Sequence, residues 1–500
     1  MNEMKVELRR KIDEWFNQHS DEMINDLAQL VAINSVKGEP AEGQPYGQAS
    51  REVLEVARAQ LEKRGFPVEN FEDMIITADY GTTADTLPVL GILAHLDIVE
   101  AGPGWSTDPF ALLIKDGNLY GRGTSDDKGP SIAAMYALYC ARELRPDFSR
   151  GFRLILGAGE ETGCLDIAQY LEKIDPPTYV FTPDAGFPVM NIEKGRLMPT
   201  FNAEWAADAT LPRVISISGG TTANAVPPVA TAVIEGISLA EAALFCRKYS
   251  EKTGATITAA PEAFTTDNFN PEDFNFDGDT PSSAAPPSRI VITSHGKSAH
   301  AAHPSAGINA QTALLEMLVT MPFAASEGFK HIQALNRLFP HGDMYGESLG
   351  IKMSDEISGA LTLNFGVLQL TEAGFTANFD SRTPICADTV DIKGITRATF
   401  VREGFGVADL TIYTSHHTPA DTPFVQTLLR LYEDYTGEKG ECLAIGGSTY
   451  VHGIPGGVAF GCGFPGTENG VHGANEFIEL DHLMMSAKMF TEVILDMCTD

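Results

Sequence analysis

The apolar positions of the chain change their period several times, and each change marks an element. Between residues 5 and 32, Leu8, Ile12, Trp15, Phe16, Ile24, Leu27, Leu30 and Val31 recur at helical steps among charged neighbours, which predicts one or two amphipathic helices. Residues 49–64 repeat the pattern and stop near Gly65 and Pro67. Three short apolar runs follow, MIITADY, LPVLGILAHLD and FALLIKDGNLYG, and read as strands; Asp116-Gly117 in the last is a hairpin signal. Residues 128–145, rich in Ala, Met, Leu and Tyr, predict a helix with a buried face. GFRLILGAG predicts a buried strand, residues 163–174 a helix, and PPTYVFTPD another strand. Strands alternating with helices predict an α/β unit around a mostly parallel sheet covered on both faces.

The texture changes after about residue 193. VISISGG, VIEGISL and RIVITSHG read as strands and residues 238–252 and 307–320 as helices, with LTLNFGVLQL and FTANFDSR as further strands over 361–382. Residues 260–288 are acidic, rich in Pro and Ser and short of aliphatics, an exposed excursion by composition. The α/β rhythm returns from about 384, with helices at 390–404, 422–437 and 480–497 and the strand ADLTIYT. The expected organisation is one domain of residues 1–193 and 384–500, interrupted by an inserted α+β domain of residues 194–383.

Composition narrows the function. With 35 Lys plus Arg against 67 Asp plus Glu, the formal net charge is −32, a poor match for nucleic acid or an anionic membrane. The first forty residues are charged throughout, and no stretch approaches the roughly 20 apolar residues of a membrane span. The 7 cysteines are scattered and never form a CxxC pair, which suits reduced thiols rather than a disulfide scaffold or a cysteine-held zinc. The expectation is a cytoplasmic protein.

Histidines and carboxylates fall repeatedly at the ends of predicted strands, where sites form in open α/β sheets. His95 and Asp97 close VLGILAHLD, and a carboxylate behind a histidine fixes its tautomer and raises its basicity as a ligand. GRGTSDDKG carries Asp126 and Asp127 at the start of a helix, where capping is the ordinary use of either. GAGEETG places Glu160 and Glu161 after an apolar strand. Its glycine spacing is wrong for a dinucleotide loop, and two glutamates would repel a pyrophosphate. Asp184 ends YVFTPD, and His472 lies in FPGTENGVHGANE. Two histidines with several carboxylates and no cysteine suit Zn²⁺, Mn²⁺ or Co²⁺, and the set is large enough for two ions sharing a carboxylate.

The succession HLD, GRGTSDDKG, GEETG, a strand-end Asp, GKSAHAAHP and a late His over residues 90–476 resembles a di-metal peptidase and deacylase family. That family includes carboxypeptidase G, acetylornithine deacetylase and succinyl-diaminopimelate desuccinylase. Together with GGSTY, GVAFG and FPG near the end, the chain resembles its PepV-type bacterial dipeptidases. The resemblance implies a di-metal exopeptidase catalytic domain and a lid. Two divalent ions, Zn²⁺ first and Mn²⁺ or Co²⁺ as alternatives, would share Asp126 and a water or hydroxide; His95 and Asp184 would complete one set of ligands, Glu161 and His472 the other. Asp97 would orient His95, Glu160 would be the general base, and the Asp126–Asp127 peptide would be cis.

The resemblance also implies that His300, in GKSAH, steadies the tetrahedral oxyanion. Pro304 falls four residues after it, which selects His300 over His303. Arg382, in FDSRTP, would clamp the substrate carboxylate, Asn224 would hold the substrate from the lid, and Gly447, Ser448 and Thr449 would offer donors to the same carboxylate. Asp at 184 points to a substrate with a free amino terminus. An enlarged lid implies a monomer whose own chain supplies the histidine that a second subunit supplies elsewhere. Val451-His452 departs from the usual small and basic pair. His295, His416 and His417 read as structural or surface residues. The expected activity is hydrolysis of unblocked dipeptides. An N-acyl amino acid deacylase on the same scaffold is the rival; a non-catalytic relative conflicts with the full set of ligands and base.

Overall fold

The computed structural model describes residues 3–81, 88–262 and 289–499. The chain divides into two compact units, Met1–Glu193 with His416–Asp500, and Lys194–Ser415.

In the first unit the parallel heart of the sheet is the strand Leu90–His95, flanked by Phe152–Gly157 and Tyr179–Thr182. Ile75–Tyr80 and Val68–Phe71 extend one side antiparallel, and short strands at Val458–Ala459, Val189–Glu193, Cys442–Ile445 and His416–His417 extend the other. Every residue of Leu90–His95 is buried, as a central strand with both faces covered requires. The helices Glu3–Val31, Gln48–Lys63, Lys128–Leu144 and Leu480–Cys498 supply the cover, with Phe16, Leu27, Tyr136, Ile132, Phe490 and Ile494 in one continuous apolar core. The single helix Glu3–Val31 spans the segment for which one or two were expected. The hairpin Leu113–Lys115/Asn118–Tyr120 turns on Asp116 and Gly117, both at positive φ (53° and 82°), the geometry its Asp-Gly pair favours.

The second unit is an antiparallel eight-stranded sheet. Its order is Thr256–Pro261, Arg289–His295, Val229–Glu235, Arg213–Gly219, Thr362–Thr371, Gly374–Thr383, Gly195–Glu204 and Gly406–Tyr413. Leu239–Thr253, Ala310–Leu318, Glu327–Leu338 and Ile392–Arg402 pack on it. Ser238 caps the first of these by accepting from the Glu241 N–H.

Three expectations are corrected. The second unit runs to Ser415, not to residue 383, because Gly406–Tyr413 pairs with Gly195–Glu204 and Phe400 and Phe405 of the preceding helix and turn stack on Phe201. An α–β alternation reads the same whichever sheet receives the strand. The strand Gly195–Glu204 and helix Glu327–Leu338 were not foreseen. Residues 260 and 261 end an edge strand, while 263–288, the bulk of the acidic segment, lie outside the described residues. All 7 cysteines are free, and no helix among the described residues is long and apolar enough to cross a membrane.

Candidate metal centre

His95 ends the central strand and is fully buried. Its Nδ1 donates to the main-chain oxygen of Asp97 at 3.1 Å, which leaves the lone pair on Nε2. The buried Nε2 makes no hydrogen bond and lies 3.0 Å from Asp126 Oδ1 and 3.5 Å from Asp184 Oδ2. The other oxygen of Asp126 is 2.9 Å from His472 Nε2, which is 3.1 Å from Glu161 Oε1. One aspartate thus presents one oxygen to each of two histidines. Ligand-type atoms gather within 4.8 Å of one another in two groups, His95 with Glu160 and Asp184, and Asp126 with Glu161 and His472. The Asp126–Asp127 peptide is cis.

The sequence delivers these groups from strand ends and the loops beyond them. Glu160 and Glu161 follow Phe152–Gly157, and Asp184 follows Tyr179–Thr182. Asp126 precedes the helix Lys128–Leu144 but does not cap it. Asp127 occupies the cap position without a capping bond and instead accepts the His95 N–H through Oδ2 at 3.0 Å. Gly157 is required where it stands, since a Cβ there would meet the Tyr450 hydroxyl at 2.2 Å.

Electrostatics favour cations here. Burial, followed by the charge of Asp126, pushes the Asp184 carboxyl up to about 7. Burial, with the charges of Asp184 and Glu161 against the pull of His95, holds Glu160 well above the usual carboxylate range. Contacts with Asp126 and Glu161 lift His472 to about 11. Crowded, half-buried carboxylates facing two histidines are a donor set that divalent ions would relieve. The residues therefore fit a metal centre.

Asp97 stands at His95 with both its main chain and its side chain, Nδ1 lying 3.1 Å from the carbonyl oxygen and 3.4 Å from Oδ1, and its carboxylate oxygens also accept the N–H groups of Glu160 (3.2 Å) and Glu161 (3.0 Å). One assigned role is corrected. Thr449 offers nothing to a substrate, because its N–H and hydroxyl both go to the buried Glu193, the hydroxyl at 2.6 Å. Glu193 Oε2 also lies 2.9 Å from His452 Nδ1. Ser448 is exposed, and nothing stands within 4 Å of a Cβ placed at Gly447.

Within the second unit, Asn224 and His300 are neighbours. Ala225 bridges His300, and the Ala301 N–H donates to the Asn224 carbonyl at 2.8 Å. Both are exposed, and His303 is one turn further on. The Ala302 N–H donates to His300 Nδ1, so the neutral ring carries its proton on Nε2. Arg382 is buried, with Nε and Nη2 on the two oxygens of Asp380 at 2.7 and 3.1 Å, and Arg196 pairs with the same carboxylate.

Sequence reasoning missed several residues. Glu476 accepts four hydrogen bonds beneath the Asp126 loop. The Lys128 ammonium, fully buried, donates to the carbonyls of Leu30 and Ile33 at 2.9 and 2.7 Å. Tyr450 donates to Asp166 and accepts the Gly159 N–H. The available signal was a charged residue at an otherwise buried stretch, such as Lys128 at the start of the buried helix Lys128–Leu144; Glu476 follows exposed and half-buried neighbours and carried no such signal.

Comparison with known proteins agrees with this geometry. The model for "Peptidase family M20/M25/M40" matches residues 91–496. The chain is 32% identical over 483 residues to a putative dipeptidase, YtjP, of Bacillus subtilis, covering 95% of this chain and 97% of that protein. It is 31% identical over 498 residues to the Beta-Ala-Xaa dipeptidase of Lactobacillus delbrueckii, covering 96% and 97%. Among solved structures, human carnosine dipeptidase 1 shares the fold at TM-score 0.54 and 16% identity, over 98% of this chain and 99% of that one.

Proposed function

The chain belongs to peptidase family M20/M25/M40 and is a hydrolase of peptide bonds, and from that premise we propose that it is a metal-dependent dipeptidase for short peptides with both termini free. The observation that carries the reading is the Asp126 carboxylate, split between His95 and His472. The names of the similar proteins support a dipeptidase over a deacylase.

His95 and Asp184 would hold one ion, Glu161 and His472 the other, and Asp126 both. Two divalent ions, Zn²⁺ with Mn²⁺ or Co²⁺ as alternatives, would supply the Lewis acidity that polarises a peptide carbonyl and acidifies water. Glu160 takes the proton of the attacking water and passes it to the departing amine. Asp97 holds the Glu160 main chain and so fixes where that carboxylate starts. His300, with its proton on Nε2, donates to the oxyanion. Arg382 binds the substrate's terminal carboxylate as a charge-assisted pair, with Asn224, Gly447 and Ser448 assisting. The protein acts as a monomer in the cytoplasm.

The test is hydrolysis of a small panel after chelation and add-back of each metal. The panel holds free dipeptides, a tripeptide, an N-acetyl amino acid and an N-acetyl dipeptide. Metal-dependent cleavage confined to free dipeptides is expected. Cleavage of the N-acetyl amino acid in their place would move the protein to the deacylases.

A further inference from the structure

We propose that the buried pair Arg122–Glu476 is a positioning device that sets the spacing of Asp126 and His472, and with it the affinity of the second ion site. The inference rests on the di-metal reading above and adds two residues whose side chains reach the main chain at the ligands and not the ligating atoms.

Both residues are almost wholly buried, Arg122 at 1% exposure and Glu476 at 0%. Glu476 Oε1 accepts the N–H groups of Ser125 (2.9 Å) and Asp126 (3.1 Å). Its Oε2 accepts the Gly123 N–H (3.0 Å) and Arg122 Nη1 (2.6 Å). From the other end of the pair, Arg122 Nη2 donates to the carbonyl of Gly473 at 3.0 Å, the residue after His472, and to Glu100 and Ala101. The pair therefore grips the main chain on each side of the site, one residue from one ligand and at the amide of the other.

The strands leading into these loops are already paired. Phe477 faces Tyr120, and the Gly121 N–H continues the ladder to the Glu476 carbonyl at 3.0 Å. The His472 loop is closed by the Phe477 N–H on Asn469 and carries His472 itself at φ 61°. Strand pairing fixes the roots of the two loops. The four-donor carboxylate and the guanidinium fix their tips, where the ligands stand. A neutral amide in place of Glu476 would turn an N–H toward a cluster of donors. Side chains that orient ligands from behind commonly govern metal affinity by about 10–100-fold.

The experiment uses the full-length chain, stripped of metal and titrated with Zn²⁺ by calorimetry and with Co²⁺ by visible absorption, for the native protein, E476Q and R122K. Native protein is expected to take two ions. Each variant should bind the ion held with His472 about 10–100-fold more weakly and the ion held with His95 much less changed, with the larger alteration in one Co²⁺ band. Its kcat should recover at high metal and its KM should stay near native. Two sites of native affinity in both variants would overturn the proposal. So would equal weakening of both sites together with a lowered melting temperature, which marks general support of the fold, and so would failure of both variants to fold. Fewer than two ions on the native protein would overturn the di-metal reading itself, along with this one.

Discussion

His95 is faced by Asp97 twice: Nδ1 meets the Asp97 carbonyl oxygen at 3.1 Å and the nearer carboxylate oxygen at 3.4 Å. The carboxylate also accepts the N–H groups of Glu160 and Glu161. Asp97→Asn keeps the carbonyl, and so the His95 tautomer, but sets an amide N–H against one of those donors. We expect kcat to fall about 10–100-fold with the His95 ion still bound, read by steady-state kinetics beside metal analysis. Loss of that ion would assign the orienting role to the carboxylate.

Glu160 stands with His95 and Asp184 but is assigned the proton and not an ion. Glu160→Ala should bind two ions and lose about 10²–10⁴-fold in kcat, the usual worth of a positioned acid–base group. Retained turnover would remove the assignment.

Thr449 is committed to Glu193, with its hydroxyl and N–H on one buried carboxylate. Thr449→Val should therefore lower stability by about 1–3 kcal/mol, the cost of a buried acceptor left short of a donor. Thr449→Ser should stay near native. Denaturant unfolding reads the first effect, and the KM for a free dipeptide should follow stability and not the hydroxyl.

Arg382 carries the terminal carboxylate in the proposed mechanism. Arg382→Ala should damage turnover of free dipeptides far more than that of C-terminally amidated ones. Because Asp380 would then lose one of its two arginine partners among the described residues and keep Arg196, the comparison is made between substrates on the one variant. Equal damage to both would remove the clamp.

Burial, with Tyr450 and main-chain N–H bonds acting against it, raises the Asp166 carboxyl from 3.8 to about 6. Between those values the folded protein binds more protons than the unfolded one, so this group's contribution falls as pH rises from about 4 to about 6 and is constant above. Asp166→Asn lacks that titration. Its melting temperature relative to the native protein should rise across the same interval and level off beyond it. A difference independent of pH would show that Asp166 ionises normally.

The alternating period of residues 68–184 was enough to predict the parallel heart of the first unit, and the strand-end positions of His95, Glu160, Glu161 and Asp184 follow from it, because a strand's length and its next polar residue are local properties. The pattern also marked Asp126 and His472 as ligand types, and the family resemblance assigned them to one centre. Pattern could not place the end of the second unit, since helix Ile392–Arg402 and strand Gly406–Tyr413 suit either sheet until Gly195–Glu204 offers its edge. Nor could it tell that the Asp97 carbonyl stands at His95 beside the carboxylate, or that Thr449 answers to Glu193, 256 residues away. Element type is decided by neighbours in sequence. The partner of a buried polar atom is decided by whichever distant segment desolvates it, and only the folded chain makes that choice.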